Sequence, residues 1–366
     1  MELTELRLAC FRSYRELRFA PPQAKVVLIG DNGQGKTNLL EAIHFLSIGR
    51  SFRTAASAAC VMFGEQAAEV AASYRRRAVG VQELKLRLPR RGERKVWHNG
   101  LPCERFRDVL GELNTIVFSA LDISLVAGEP ALRRRHLNEE LSKLSPRYFD
   151  ELARYRRVLA QRNQLLHRAA PGPAPPHLEA FTAELVDVGL WLVAARERFV
   201  AQLKPHFAQV AQALGAGEED LALDYRSTLP PAREDALRRF ADVRALELAR
   251  GTTLLGPHRD DLQLTIRGKP LRQFGSRGQQ KTAALALKLA QASLAMEIAR
   301  EPPILLFDDV LPELDMDRRT RLVALAERFG QAFFTATSES DVPPQLLKRG
   351  AVFRVHQSTL APWGES

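Results

Sequence analysis

Over roughly the first 120 residues, apolar and polar positions alternate in short runs. Thr4–Leu8, Lys25–Ile29, Glu69–Tyr74, Gln82–Leu88 and Thr115–Phe118 read as strands. Asn99-Gly100 lies between two such runs and favours the positive φ angles of a tight hairpin turn. One helical run interrupts them, from about Lys36 to Ser47. From Pro130 to about Leu214 the pattern shifts to a period of about 3.6. Ala131–Arg168 and His177–Leu214 read as long, charged, amphipathic helices. Pro171–Pro176 can continue neither, so it is expected at the tip of a helical hairpin. A further helix is expected at Glu234–Arg250. Beyond Leu255 strands return, with Leu262–Ile266 and Pro270–Gln273 flanking Arg267-Gly268-Lys269. A helix at Gln279–Ala299, the apolar strand Ile304–Phe307 and a helix over about Met316–Phe329 follow, then strands Ala332–Ala336 and Ala351–Val355.

Alternation of strand and helix predicts a parallel α/β sheet. The helical stretch then reads as an insertion that splits one α/β domain in two. The expected boundaries are 1–125 for the N-terminal part of the head, 126–250 for the helical lobe and 251–366 for the C-terminal part of the head. At 45% hydrophobic residues over 366 positions, the chain can bury a core in more than one lobe. The opening stretch has no apolar signal core, and no uninterrupted apolar run reaches the ~18 residues of a membrane span. Cys10, Cys60 and Cys103 are scattered without metal-ligand spacing, so reduced thiols and a cytoplasmic location are expected. A net charge of +10 points to a polyanionic partner or a basic face without choosing between them.

Gly30-Asp31-Asn32-Gly33-Gln34-Gly35-Lys36-Thr37 matches the GxxxxGK[ST] phosphate-binding loop. The strand Lys25–Ile29 leads into it and a helix follows. The glycines let successive backbone N–H groups curl around phosphate, and the helix N-terminus adds its positive dipole end. Lys36 is expected to reach the β- and γ-phosphates of ATP, and the Thr37 hydroxyl to ligate Mg²⁺. Asp308 and Asp309 close the apolar run Ile304–Phe307, where P-loop enzymes place a metal-side carboxylate. Asp308 is the expected Mg²⁺ partner, and Asp309 the group expected to polarise the attacking water. About 270 positions separate the two halves of the site, far more than in compact P-loop domains.

Ser276-Arg277-Gly278-Gln279-Gln280 precedes a strong helix and resembles the Ser-Gly-Gly-Gln signature of ABC-type ATPases. It offers a hydroxyl, a glycine for close approach and helix N-terminal N–H groups. In an ABC-type head this loop reaches the γ-phosphate held by the opposite subunit. One P-loop and one signature per chain therefore imply a homodimer enclosing two ATP molecules.

The whole chain resembles the RecF family of bacterial SMC-like repair ATPases. Leu8–Tyr14, Gly30–Asn38, Gly49–Thr54, Arg133–Arg135, Gly256–Asp261, Ser276–Thr282 and Asp308–Asp315 carry the resemblance, in family order. It implies an α/β fold: an ABC-type, SMC-like P-loop ATPase head with an inserted α-helical lobe. It also implies ATP-dependent dimerisation, weak DNA-stimulated ATP hydrolysis, and binding to duplex DNA and single-strand/double-strand junctions. RecR and RecO are the implied partners in loading RecA at gaps, with a part in the SOS response. Two departures stand out: Ala120-Leu121 replace Pro-Glu before Asp122, and Pro312 replaces Ser before Glu313-Leu314-Asp315.

The resemblance makes Arg12 a phosphate contact beside the P-loop and adds Asn38 to the ATP-binding stretch. Arg133, Arg134, Arg135, Arg156 and Arg157, with Arg154, Arg162 and Arg168, are candidates for a phosphate-tracking DNA face on the lobe. Arg50 and Arg53 are candidate nucleotide or DNA sensors, and His258 is expected to pack or hydrogen-bond. A nucleotide-binding subunit of an ABC transporter shares the site chemistry, but the long lobe and the basic charge disfavour it.

Overall fold

The computed structural model describes residues 1–54, 56–169 and 175–364. By internal contacts the chain forms two units. The first holds Met1–Asp122, Gln209–Glu218 and the chain from Ala284 onward; the second holds Ile123–Ala208 and Glu219–Ala283.

The first unit opens with β1 (Glu2–Phe11), β2 (Tyr14–Phe19), β3 (Lys25–Ile29) and α1 (Lys36–Ile48). β4 (Ala67–Arg76), β5 (Gly80–Pro89), β6 (Lys95–His98), β7 (Leu101–Cys103) and β8 (Thr115–Ser119) follow. An antiparallel sheet runs β2-β1-β4-β5-β6-β7. Leu3, Leu6 and Leu8 all face its core although three positions separate the first two. A register shift between Leu3 and Glu5 absorbs the extra residue, as a bulge does. The Asn99-Gly100 turn joins β6 to β7 with φ of 51° and 79°, as its chemistry predicts.

In the second unit lie α2 (Ile123–Ala127), α3 (Pro130–Leu144), α4 (Pro146–Ala169) and most of α5 (Leu178–Ala211). β9 (Leu221–Arg226), α6 (Arg233–Arg250), β10 (Asp261–Ile266), β11 (Lys269–Pro270) and α7 (Leu271–Phe274) complete it with the start of α8 (Arg277–Ala299). The expected single helix over Ala131–Arg168 is two. Ser145 is extended because Pro146 excludes the α region for the residue before it. The expected strand Pro270–Gln273 shrinks to Lys269–Pro270, and Leu271 begins a helical turn. β9 was not foreseen: it pairs with β10 along its whole length. This small sheet carries the second unit past residue 250 to Ala283, so Ser276–Gln280 belongs with the lobe. Of the expected hairpin tip, Pro171–Ala174 lie outside the described residues.

The chain returns to the first unit with the rest of α8, then β12 (Ile304–Asp308), α9 (Met316–Glu327) and β13 (Ala332–Ala336). α10 (Pro344–Arg349), β14 (Ala351–His356) and β15 (Thr359–Pro362) end it. The second sheet of this unit runs β15-β14-β3-β13-β12-β8, parallel except for β15. Its central strands are mostly apolar and buried because both faces are covered. α1 packs against strands of both sheets, and its apolar residues join the main core. α8 has the length and composition of a membrane span, but most of it is buried inside the protein.

Candidate functional site

β3 delivers the phosphate-binding loop. A Cβ at Gly30 would sit 2.2 Å from the Val355 carbonyl oxygen, so no other residue fits there. Gly35 caps α1 with φ 112°, a region closed to L side chains, and brings the helix N-terminus to the loop. Asp31, Asn32 and Gly33 form the exposed rim. The buried Lys36 curls back so that Nζ donates to the carbonyls of Gly30 (2.5 Å) and Asp31 (3.0 Å). The turn between β14 and β15 braces the loop from behind. Ser358 N–H donates to the Gln34 carbonyl at 2.9 Å, and Gln357 N–H to the Gln34 side chain at 2.7 Å.

β12 delivers the acids. The Thr37 hydroxyl donates to Asp308 Oδ1 at 2.7 Å, across 271 positions of sequence. Burial pushes the Asp308 carboxyl above its ordinary range; the Thr37 bond opposes this and the Asp309 charge adds to it. A hydroxyl and a carboxylate facing each other are the hard oxygen donors that suit Mg²⁺, so the residues fit that ion. Asp309 holds a left-handed backbone (φ 50°). Its N–H donates to Thr335 Oγ1 at 2.8 Å, and the Thr335 hydroxyl lies within reach of both carboxylates, 3.2 Å from Asp308 and 3.0 Å from Asp309. One hydroxyl proton can serve one of them at a time.

Arg12 lies in the β1–β2 turn. Its Nε and Nη2 donate to the two oxygens of Glu41 at 2.8 and 2.7 Å, and Nη1 to the Ala59 carbonyl at 2.7 Å. Neighbouring side chains reach the P-loop helix: Asn38 donates to Ser13 Oγ, and Tyr14 hydroxyl to the Gly35 carbonyl. Arg53 donates to the Asn38 side-chain oxygen at 3.0 Å.

In the second unit the signature stretch forms a capping box. Gln279 N–H donates to Ser276 Oγ, and Ser276 N–H donates back to Gln279 Oε1. The Gln280 amide donates to the carbonyls of Leu271, Arg272 and Gly275, holding the loop in shape. Ser276 and Arg277 remain exposed, with Gly278 beside them.

The expected DNA face is only partly on the surface. Arg133 is buried and forked onto Asp261 at 2.7 and 2.9 Å, with Nη1 on the Gly128 carbonyl. Arg162 is fully buried against Glu247. Neither can touch DNA. Both lie in phase with the apolar positions of their helices, Leu137 and Leu141 in one case, Tyr155 and Leu166 in the other. Arg134 is half-buried on the Asp260 carbonyl, and Arg135 pairs with Glu139. Arg156 and Arg157 are exposed.

Sequence reasoning missed Glu41, whose signal was a lone acid inside the apolar run Leu39–Leu46. It also missed the buried Lys288, which donates to the Val117 carbonyl at 2.6 Å and pairs with Asp122 at 2.8 Å. Asp122 in turn accepts from Ser119 N–H. The one acid retained in that segment thus ties the end of β8 to α8.

The family model described as the RecF/RecN/SMC N terminal domain matches residues 2–358. The DNA replication and repair protein RecF of Heliobacterium modesticaldum is 40% identical, over 99% of each chain. Its counterpart from Halalkalibacterium halodurans is 35% identical over the full length of both. Among solved structures, the recombination mediator protein RecF-ATP in the RecFOR pathway superposes with a TM-score of 0.90 at 30% identity, covering 99% of this chain and 98% of that one. An Smc head bound to the C-winged helix domain of ScpA matches at 0.58 and 15% identity over 100% and 99%, a likeness of fold alone. A P-loop and an acid-tipped strand joined in one ABC-type head, matched end to end by these relatives, place the chain in the RecF family of DNA replication and repair proteins.

Proposed function

We propose that the protein is a cytoplasmic ATP-dependent DNA-binding protein of recombinational repair, in which ATP joins two copies and slow hydrolysis releases them. The contact between Thr37 and Asp308 carries this reading, because it assembles both halves of a nucleotide–Mg²⁺ site. Gly30–Asn38 hold the triphosphate, with Lys36 supplying positive charge and Thr37 and Asp308 the metal ligands. Mg²⁺ would neutralise developing phosphate charge there. Asp309 orients the attacking water, a role that its contacts with Thr335 support. Ser276–Gln280 of one copy close on the nucleotide of the other, through the exposed hydroxyl and the helix N-terminal N–H groups. A helix-terminus contact of this kind contributes about 0.3–2 kcal/mol and lasts only while the γ-phosphate is present.

Membership of a family of replication and repair proteins supports DNA as the partner, with duplexes and single-strand/double-strand junctions as substrates. RecO and RecR follow as co-workers from the pathway named for the ATP-bound relative. Relatives matched end to end are repair proteins, which sets aside the transporter-subunit reading.

Light scattering with and without ATP tests the reading. The wild type should double its mass with ATP, while Lys36→Ala and Ser276→Arg stay monomeric and Ser276→Arg keeps its ATP affinity. Loss of ATP binding by monomeric Ser276→Arg would overturn the assignment in trans.

A further inference from the structure

A carboxylate buried without compensation costs several kcal/mol, so a fully buried acid is kept only where its surroundings neutralise it. Glu41 is such an acid: it is wholly buried, four positions after Thr37 on the helix that follows the P-loop. Three side chains from two separate pieces of backbone converge on it. The β1–β2 turn sends Arg12, forked onto both carboxylate oxygens. The loop after α1 sends the Ser51 hydroxyl, which donates to Glu41 while accepting from the N–H groups of Arg53 and Thr54. Arg53 approaches the same carboxylate at 3.8 Å.

The donor count on Arg12 gives this arrangement a purpose. A guanidinium has five N–H bonds. Two point at Glu41 and one at the Ala59 carbonyl, so among the described residues one N–H on each terminal nitrogen is left over. The side chain is still 19% exposed, although its partner is not exposed at all. A bidentate clamp fixes the plane of the fork, and with it the direction of the two spare donors. The residues after Arg12 are tied to Asn38 and Gly35, so the fork is held beside the loop that binds phosphate.

We infer that Glu41 is a positioning residue for the nucleotide: it clamps Arg12 so that two unused N–H donors stand ready for a phosphate oxygen. This rests on the P-loop being the ATP site. Glu41 touches no substrate and acts through Arg12. The cost of searching side-chain rotamers is thereby met on folding, before ATP arrives.

A double-mutant cycle on the full chain decides it, with ATP affinity measured by titration and folding followed by circular dichroism. Glu41→Gln should weaken ATP binding roughly tenfold, the scale of coupling within one ion-pair network. In an Arg12→Gln background the same change should have no further effect, and Glu41→Asp should recover part of the loss. If Glu41→Gln is too unstable to fold, Glu41→Asp, which keeps the charge and shortens the clamp, takes its place in the cycle; a loss of affinity that vanishes in the Arg12→Gln background supports the clamp. Additive losses, or an unchanged affinity in Glu41→Gln, would refute it. Lys36→Ala is the control. Wild-type ATP affinity there would overturn the P-loop reading itself, whatever the Glu41 cycle gives.

Discussion

Thr37 and Asp308 meet through a 2.7 Å hydrogen bond although one follows β3 and the other ends β12. The strand order explains how: β13 alone separates β3 from β12 in the sheet, and all three run parallel. Their C-terminal ends therefore share one edge, the usual ligand-binding edge of an α/β sheet. Asp308→Asn keeps the hydrogen bond and removes the charge. Phosphate release should fall about a hundredfold or more, as when one electrostatic stabiliser is lost. Binding of ATP without Mg²⁺ should change little, and the gain in affinity on adding Mg²⁺ should disappear. Titration with and without the ion checks both.

Arg162 and Glu247 make the second prediction. Both are fully buried and joined at 2.6 Å, while Thr182 and Thr253 take the remaining sides of the guanidinium. Phe240 covers its face at 4.9 Å. Glu247→Ala leaves an unpaired buried cation and should cost about 3–5 kcal/mol in urea denaturation. Arg156→Ala, a surface change on the same helix, should stay within about 0.5 kcal/mol.

That contrast also shows what the sequence made legible. The P-loop, the acid-tipped strand and the Asn99-Gly100 turn were readable because each depends on local chemistry at fixed spacing. The burial of Arg162 and Arg133 was missed: both fall in phase with apolar neighbours, but arginine's usual preference for the surface hid the signal. The break at Ser145 was announced by Pro146. β9 was not legible: Leu221–Arg226 is short, and it is a strand because β10 pairs with it from far along the chain, Arg226 with Asp261 at one end and Leu221 with Ile266 at the other. Nor could spacing reveal that Ser51 and Arg12 meet on Glu41, since the contact depends on how two loops fold onto α1.

Arg156 and Arg157 set a third test. Phosphate contacts release counterions, so log affinity falls against log salt with a slope of about −0.9 per phosphate neutralised. Replacing both by alanine should lower DNA affinity at low salt and flatten that slope by up to about two contacts' worth. Fluorescence anisotropy across a salt series reads this directly. An unchanged slope would move the DNA path off this face of α4. Arg133→Ala is not an equivalent test, because it breaks the buried fork on Asp261 and acts through stability.

His258 links stability to pH. Tyr155 hydroxyl sits 2.7 Å from Nδ1, and Nε2 lies 3.2 Å from the Thr253 carbonyl. A carbonyl accepts only, so Nε2 carries a proton, and when the ring is neutral Nδ1 accepts from the Tyr155 hydroxyl. Burial, despite the Thr253 carbonyl and helped by Arg259, Arg134 and Arg162, lowers the pKa from 6.5 to about 4. Between those values the unfolded chain takes up a proton at this ring that the folded chain refuses, so stability falls as pH falls, by at most about 3 kcal/mol. The buried Asp260 carboxyl is raised and works in the opposite sense, so the histidine contribution must be isolated by difference. His258→Gln can keep an acceptor for Tyr155 and a donor for Thr253 but cannot titrate. Urea denaturation from pH 7 to 4.5 should show the wild type losing stability faster than the variant, and parallel curves would mean that the ring is protonated in the folded protein as readily as in the unfolded one.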